Sequence, residues 1–261
     1  MRYALCLEYD GRGFCGFQSQ PAGCGVQDAL ERALAIVASE PVRVTAAGRT
    51  DAGVHATAQV VHFDTAADRS VTAFVRGVNA HLARAASVLW AQPVDAQFHA
   101  RFAARWRHYT YVLLDRPSRA GLDAGRVGWY HAPLDVAAMR VAAQTLVGTR
   151  DFSAFRASEC QAKSPVRTLC AADVQRHGSL VRFDFTANAF LQHMIRNLVG
   201  ALVYIGARRQ PPQWLETLLD GRDRTRAAPT FAPDGLYFTG ADYDPAFGLP
   251  PTRRPLAPLA A

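Results

Sequence analysis

Between residues 87 and 114, strand-forming segments follow one another with no room for a helix between them (87–92, 99–103 and the long alternating run 104–114). Parallel neighbours need a crossover of a dozen or more residues, so consecutive strands of this kind must pair antiparallel. The same holds for 167–175 and 180–187, which meet at His177-Gly178. Further strands are expected at 2–9, 42–46, 59–63 and 235–243. Helical periodicity is equally plain. Val26, Leu30, Ala33, Leu34 and Val37 form one apolar face over 26–38. Ser70 is placed to cap a short helix ending at Asn79, and Asp135 to cap one over 136–147. Asn188 stands before a helix over 189–206, and Pro211-Pro212 opens another that stops at Asp220-Gly221. A long polar loop is expected over 149–166. The fold class is therefore α+β with antiparallel sheets. At 261 residues the chain accommodates two domains. The expected division is 1–103, then 104–245, each with a mostly antiparallel sheet and helices packed on it, followed by an extended Pro-rich tail over 246–261.

The segment Gly48-Arg49-Thr50-Asp51-Ala52-Gly53-Val54-His55 joins two apolar strands. It crowds Arg49, Asp51 and His55 between glycines, on a loop held by a sheet, which is where reactive groups tend to sit. A carboxylate beside an arginine stays ionised and can act as a nucleophile or a base. The same residues also suit an ordinary turn in which Asp51 bonds its own backbone.

Lys163 is the only lysine, so almost all of the positive charge is arginine, and the formal net charge is +7. Arginine binds phosphate bidentately and stacks on bases, which points toward a nucleic-acid partner, although a genomic preference for arginine gives the same count. In 104–114, Arg105, Arg107, Tyr109 and Tyr111 share one face, suited to single-stranded RNA or to a half-buried strand. Arg196 lies one step off an apolar helical stripe and needs an acidic or phosphate partner.

Five cysteines with no C-x-x-C argue against a disulfide framework or a zinc ribbon and suit a reducing cytosol. The histidines do not pair at metal spacings, and no metal or cofactor is expected. The N-terminal segment is too short and too quickly acidic for a signal peptide, and 198–207 is half the length of a membrane span. Gly11-Arg12-Gly13-Phe14-Cys15-Gly16 matches G-x-G-x-x-G after a strand. The helix after it begins only near residue 25, too late for its N-terminus to hold a pyrophosphate.

Several blocks in order resemble the tRNA pseudouridine synthase A family. They are Glu8-Tyr9-Asp10-Gly11 with Phe14, Gly16, Phe17 and Gln18, then Val26-Gln27, and the loop from Gly48 to His55. Phe98-His99-Ala100-Arg101-Phe102, Tyr109 and Tyr111, Asp151-Phe152 with Phe155, and the run from Asn188 to Asn197 follow. The resemblance spans about residues 3–243. It implies a fold related to the RNA-recognition motif, a cytoplasmic homodimer, no metal or organic cofactor, and isomerisation of uridine to pseudouridine at positions 38, 39 and 40 of the tRNA anticodon stem-loop. By the same resemblance Asp51 is the catalytic carboxylate and Tyr109 packs on the target base. Arg49 belongs to the signature loop, and Arg196 is the basic partner of the carboxylate. A non-catalytic RNA-binding module would keep the Arg/Tyr face without needing Asp51, and a dinucleotide-dependent oxidoreductase stands behind it. Cys24-Gly25 and Gln192 depart from the usual pattern without touching these residues.

Overall fold

A computed structural model describes residues 1–256. The chain forms two compact units, Met1–Arg107 with Tyr237–Leu256, and His108 to Leu236. Residues 104–107 and Tyr237–Leu256 thus belong with the first unit, whereas the expected division has 104–107 and 237–245 in the second domain and the rest in a tail. The backbone shows why. Strand β10 (Leu236–Asp242) runs parallel to β3 (His55–Asp64), with Tyr237 opposite His55. Residues after it are fastened to the first unit. Arg253 pairs with Gly240, the Trp90 indole donates to the Pro251 carbonyl, and Arg254 meets Glu8 at 2.7 Å. The tail up to 256 is thus docked, with a short turn at Pro245–Phe247; the remainder lies outside the described residues.

In the first unit β1 (Arg2–Tyr9) lies between β3 and β4 (Ala86–Val94), antiparallel to both, and β2 (Val44–Ala46) pairs antiparallel with β3. Helix α1 (Val26–Ala38) buries Val26, Leu30, Ala33 and Leu34. A π-helical turn at Ala73–Gly77 runs into α2 (Val78–His81), and the Ser70 hydroxyl accepts from the Ala73 amide, as its capping position implies. In the second unit the order is β5 (Trp106–Asp115), β9 (Leu180–Ala187), β8 (Val166–His177), β7 (Gly148–Asp151), with β6 (Gly128–Tyr130) parallel to β5. Helices α3 (Val136–Gln144), α4 (Met194–Gly206) and α5 (Trp214–Gly221) complete it. The α+β class holds.

Three local expectations fail. Residues 99–103 form a turn rather than a strand, because the ring of His99 accepts the amides of Arg101 and Phe102. Helix α4 starts five residues later than expected, because Asn188 spends its side-chain oxygen on the Thr168 amide and His193 takes a left-handed conformation. Part of the polar loop is strand β7, paired antiparallel with β8.

Buried His62 holds the same turn from below, its Nδ1 accepting the Ala100 amide at 3.1 Å. Burial, aided by the nearby charges of His99 and Arg2, drives the ring down to about 4. The unfolded chain, near 6.5, takes up this proton more readily, so stability falls as pH drops from about 6.5 to about 4. Urea midpoints at pH 7 and 4.5 are expected to show a smaller acid loss for His62→Gln than for the wild type. Equal losses would mean that the ring does not carry the effect.

Candidate active site: the Gly48–His55 loop

The loop leaves β2 and enters β3, and it is fastened at several points along its backbone. The Ala47 amide donates to the Val60 carbonyl at 2.8 Å. The amide side chain of Gln59, fully buried, donates to the Gly48 carbonyl at 2.6 Å and accepts from the Gly48 amide at 3.4 Å. The Thr50 hydroxyl shares a 2.8 Å hydrogen bond with the Tyr9 hydroxyl, and its carbonyl accepts the Phe17 amide at 2.9 Å. The turn closes as the Val54 amide donates to the Asp51 carbonyl, with Gly53 left-handed at φ 79°. Thr50 is buried between exposed Arg49 and partly exposed Asp51. The sheet thus grips the middle residue and leaves the two charged neighbours toward solvent. Burial pushes the Tyr9 hydroxyl up to about 12, so it is neutral and can donate.

His55 opens β3, and its ring stacks on Tyr237 with centroids 4.7 Å apart. Its Nδ1 accepts the Gly11 amide at 3.1 Å, which places a neutral ring's proton on Nε2. Asp10 lies 3.3 Å from the same nitrogen. The Arg12 guanidinium holds the Asp10 carboxyl down at about 2.

The glycine motif has a structural purpose here. A Cβ on Gly11 would stand 2.1 Å from the Val54 carbonyl oxygen. A Cβ on Gly16, at φ +98°, would stand 2.9 Å from the Thr50 carbonyl oxygen and 3.2 Å from the Ala52 amide nitrogen. The glycines let residues 11–17 lie on the Asp51 loop. The N-terminal amides of α1 are used by the chain itself, Val26 donating to Gly16 and Gln27 to Phe17, so they do not form a phosphate cradle. Cys15 and Cys24, with Cα atoms 5.4 Å apart, form a disulfide across this segment. That corrects the reading of the cysteines, since the Gly-rich loop folds back far enough for bridging. Cys6 and Cys160 are buried free thiols.

Arg49 and Asp51 therefore share one fixed loop in the first unit, and Tyr109 and Arg196 lie in the second. Tyr109 on β5 is buried with its ring edge-on to Phe190 at 5.1 Å. Arg196 on α4 donates through Nε to the Phe231 carbonyl at 2.8 Å, while its own carbonyl accepts the Phe231 amide. The expected Arg/Tyr face of β5 is not an open platform. Tyr111 is fully buried with its hydroxyl on the Ala232 carbonyl, and Arg105 pairs with Asp244 at 2.5 Å. Arg107 grips the carbonyls of Ala47, Arg101 and Ala104. Among the described residues no three His, Cys, Asp or Glu side chains stand close enough to hold a metal ion, and no helix is long and apolar enough to cross a membrane.

Sequence reasoning missed Tyr9 and Gln59 as supports of the loop. A signal existed: Gln59 is a polar residue inside the apolar run that becomes β3.

A family model described as tRNA pseudouridine synthase matches residues 5–103 and 142–244. Curated proteins named tRNA pseudouridine synthase A resemble the chain over nearly its whole length. The one from Thiobacillus denitrificans is 60% identical over 250 residues, covering 96% of both chains. The one from Dechloromonas aromatica is 60% identical over 250 residues, 96% of this chain and 95% of its own. The one from Methylobacillus flagellatus is 59% identical over 256 residues, 98% of each. The chain belongs to the tRNA pseudouridine synthase A family.

Proposed function

We propose that this enzyme, a tRNA uridine isomerase by family, acts at positions 38, 39 and 40 of the anticodon stem-loop with Asp51 as its catalytic carboxylate. The observation that carries the proposal is the clamped loop, which holds the backbone on both sides of Asp51 with Asp51 partly exposed and Arg49 exposed.

The reaction breaks the N1–C1′ bond, turns the uracil, joins C5 to C1′ and moves a proton from C5 to solvent while N1 gains one. It needs no oxidant and no energy input. A carboxylate at C1′ stabilises positive charge on the sugar or forms a covalent adduct. The target base must first be extruded from the stem-loop, at a cost of a few kcal/mol. Arg49, exposed beside Asp51, is the candidate wedge for the vacated stack. Tyr109 is assigned to the uracil, and Arg196 to keeping the carboxylate ionised. A homodimer in the cytoplasm completes the proposal.

The test is tritium release from anticodon-arm tRNA labelled at C5 of uridine 38, 39 or 40, with wild type beside Asp51→Ala. Release by wild type alone is expected. Release only from uridines elsewhere, or undiminished release by Asp51→Ala, would sink it. Tyr109→Phe keeps the ring and removes the hydroxyl. If that hydroxyl assists proton removal from C5, turnover falls on the order of 10²-fold with unchanged tRNA affinity. A wild-type rate limits Tyr109 to stacking.

A further inference from the structure

Phe102 is 77% exposed, and it sits at the tip of the turn that replaces the expected strand at 99–103. A single exposed apolar side chain is ordinary on any protein surface. What is not ordinary is how firmly this one is held out. Phe98, at the base of the turn, is fully buried against Tyr243 and Phe247. Both backbone groups of Ala100 are occupied, the amide by the His62 ring at 3.1 Å and the carbonyl by the Tyr243 hydroxyl at 2.7 Å. His99 accepts the Arg101 and Phe102 amides, each at 3.2 Å, and its ring lies against that of Phe102 with centroids 4.3 Å apart. The Arg101 guanidinium stands 5.7 Å from the Phe102 centroid.

The turn is also tied to the Asp51 loop within the same unit. Arg107 donates to the Arg101 and Ala104 carbonyls and, through Nε, to the Ala47 carbonyl at the start of that loop. One guanidinium therefore fixes the tip of the turn relative to the catalytic segment. A rigid aromatic ring carrying an arginine and an imidazole is the side-chain set that stacks an unpaired base and meets its phosphate.

We propose that Phe102 with Arg101 forms a stacking contact for an unpaired nucleotide of the substrate tRNA, outside the residues that act on the target uridine. The proposal rests on the tRNA reading above and names a further point where that substrate is gripped. Pre-organisation of the ring lowers the cost of binding, because the turn need not be ordered on contact.

The experiment compares wild type, Phe102→Ala, Phe102→Trp and Arg101→Gln for affinity to an anticodon-arm RNA by fluorescence anisotropy at several salt concentrations. Each protein is checked for melting temperature and for mass by light scattering. Phe102→Ala is expected to weaken Kd and raise KM about tenfold, the scale of one lost base stack, with kcat retained and the salt slope unchanged. Phe102→Trp should restore tight binding, since any base stacks on the larger ring. Arg101→Gln should weaken binding and reduce the salt slope by about one phosphate contact. Unchanged Kd and KM in Phe102→Ala, with an active wild type, would overturn the contact while leaving the isomerase reading intact. A loss that tracks a change in mass or melting temperature would overturn it too, by making Phe102 an assembly or folding residue. An inactive, non-binding wild type would instead remove the tRNA-site reading on which the contact depends.

Discussion

Asp51→Asn is expected to lose turnover by on the order of 10³-fold or more while binding tRNA with close to wild-type affinity. Asparagine keeps the shape of aspartate and is at least as good in a tight turn. The loop is held through Ala47, Gly48, Thr50 and Val54, so the substitution leaves that frame in place. What changes is the negative charge, and with it both stabilisation of a cationic sugar and attack at C1′. Affinity for a nucleic acid generally comes largely from contacts to phosphates, and the substitution removes no arginine. Single-turnover tritium release and filter binding, run on the same preparation, separate the two effects. The variant also decides between the two readings of the loop. If Asp51 were only a turn residue, asparagine would serve as well and the rate would be unchanged.

The elements were legible where one period dominated. Helix α1 coincides with its apolar stripe, and β8 and β9 pair around the expected turn. Legibility failed where a side chain competed for the backbone. Asn188 reads as a helix cap but bonds a neighbouring strand, and residues 99–103 alternate like a strand but are turned by His99. The first competitor cannot be seen without knowing which strand lies alongside, and the second is a local side-chain turn that an alternating pattern masks. The return of Tyr237–Leu256 to the first unit has the same origin, since β10 recognises β3 through a parallel register that leaves no local mark. The candidate site was half visible. Gly48 to His55 declared itself by its crowded charges and glycines. Its supports did not, because Tyr9 and Gln59 reach the loop only through the sheet, across 41 and 11 residues of sequence. The Gly-rich segment 11–16 was visible as a motif, yet its meaning lay in close approach to the Val54 and Thr50 carbonyls, which spacing cannot reveal.

Gln59→Leu tests whether those supports matter to chemistry as well as to folding. Gln59 is fully buried in the middle of β3, between Ala58 and Val60, so a side chain of similar volume fills its place. Leucine provides neither hydrogen bond to Gly48, and it leaves that carbonyl and amide without their partner in the half-buried bend after β2. An unsatisfied buried group costs about 1–3 kcal/mol, so a loss of roughly 2–4 kcal/mol is expected from urea unfolding. The loop has one way to recover part of this, which is to swing Gly48 toward water. That motion carries Arg49 and Asp51 with it, opposed by the Tyr9–Thr50 bond and by the Phe17 amide on the Thr50 carbonyl. A displacement of about 1 Å at a reacting group lowers the rate as much as 10²-fold. The expected result is therefore a fall in kcat that persists under conditions where the variant is fully folded, with tRNA affinity close to normal. A variant that is destabilised but turns over normally would show that Gln59 supports the sheet alone. A variant with wild-type stability and rate would mean that the amide clamp on Gly48 has no energetic weight. The combination of lower stability, lower kcat and unchanged affinity is what a buried positioning residue produces, because the bonds that hold the loop in the fold are also the bonds that set where Asp51 stands.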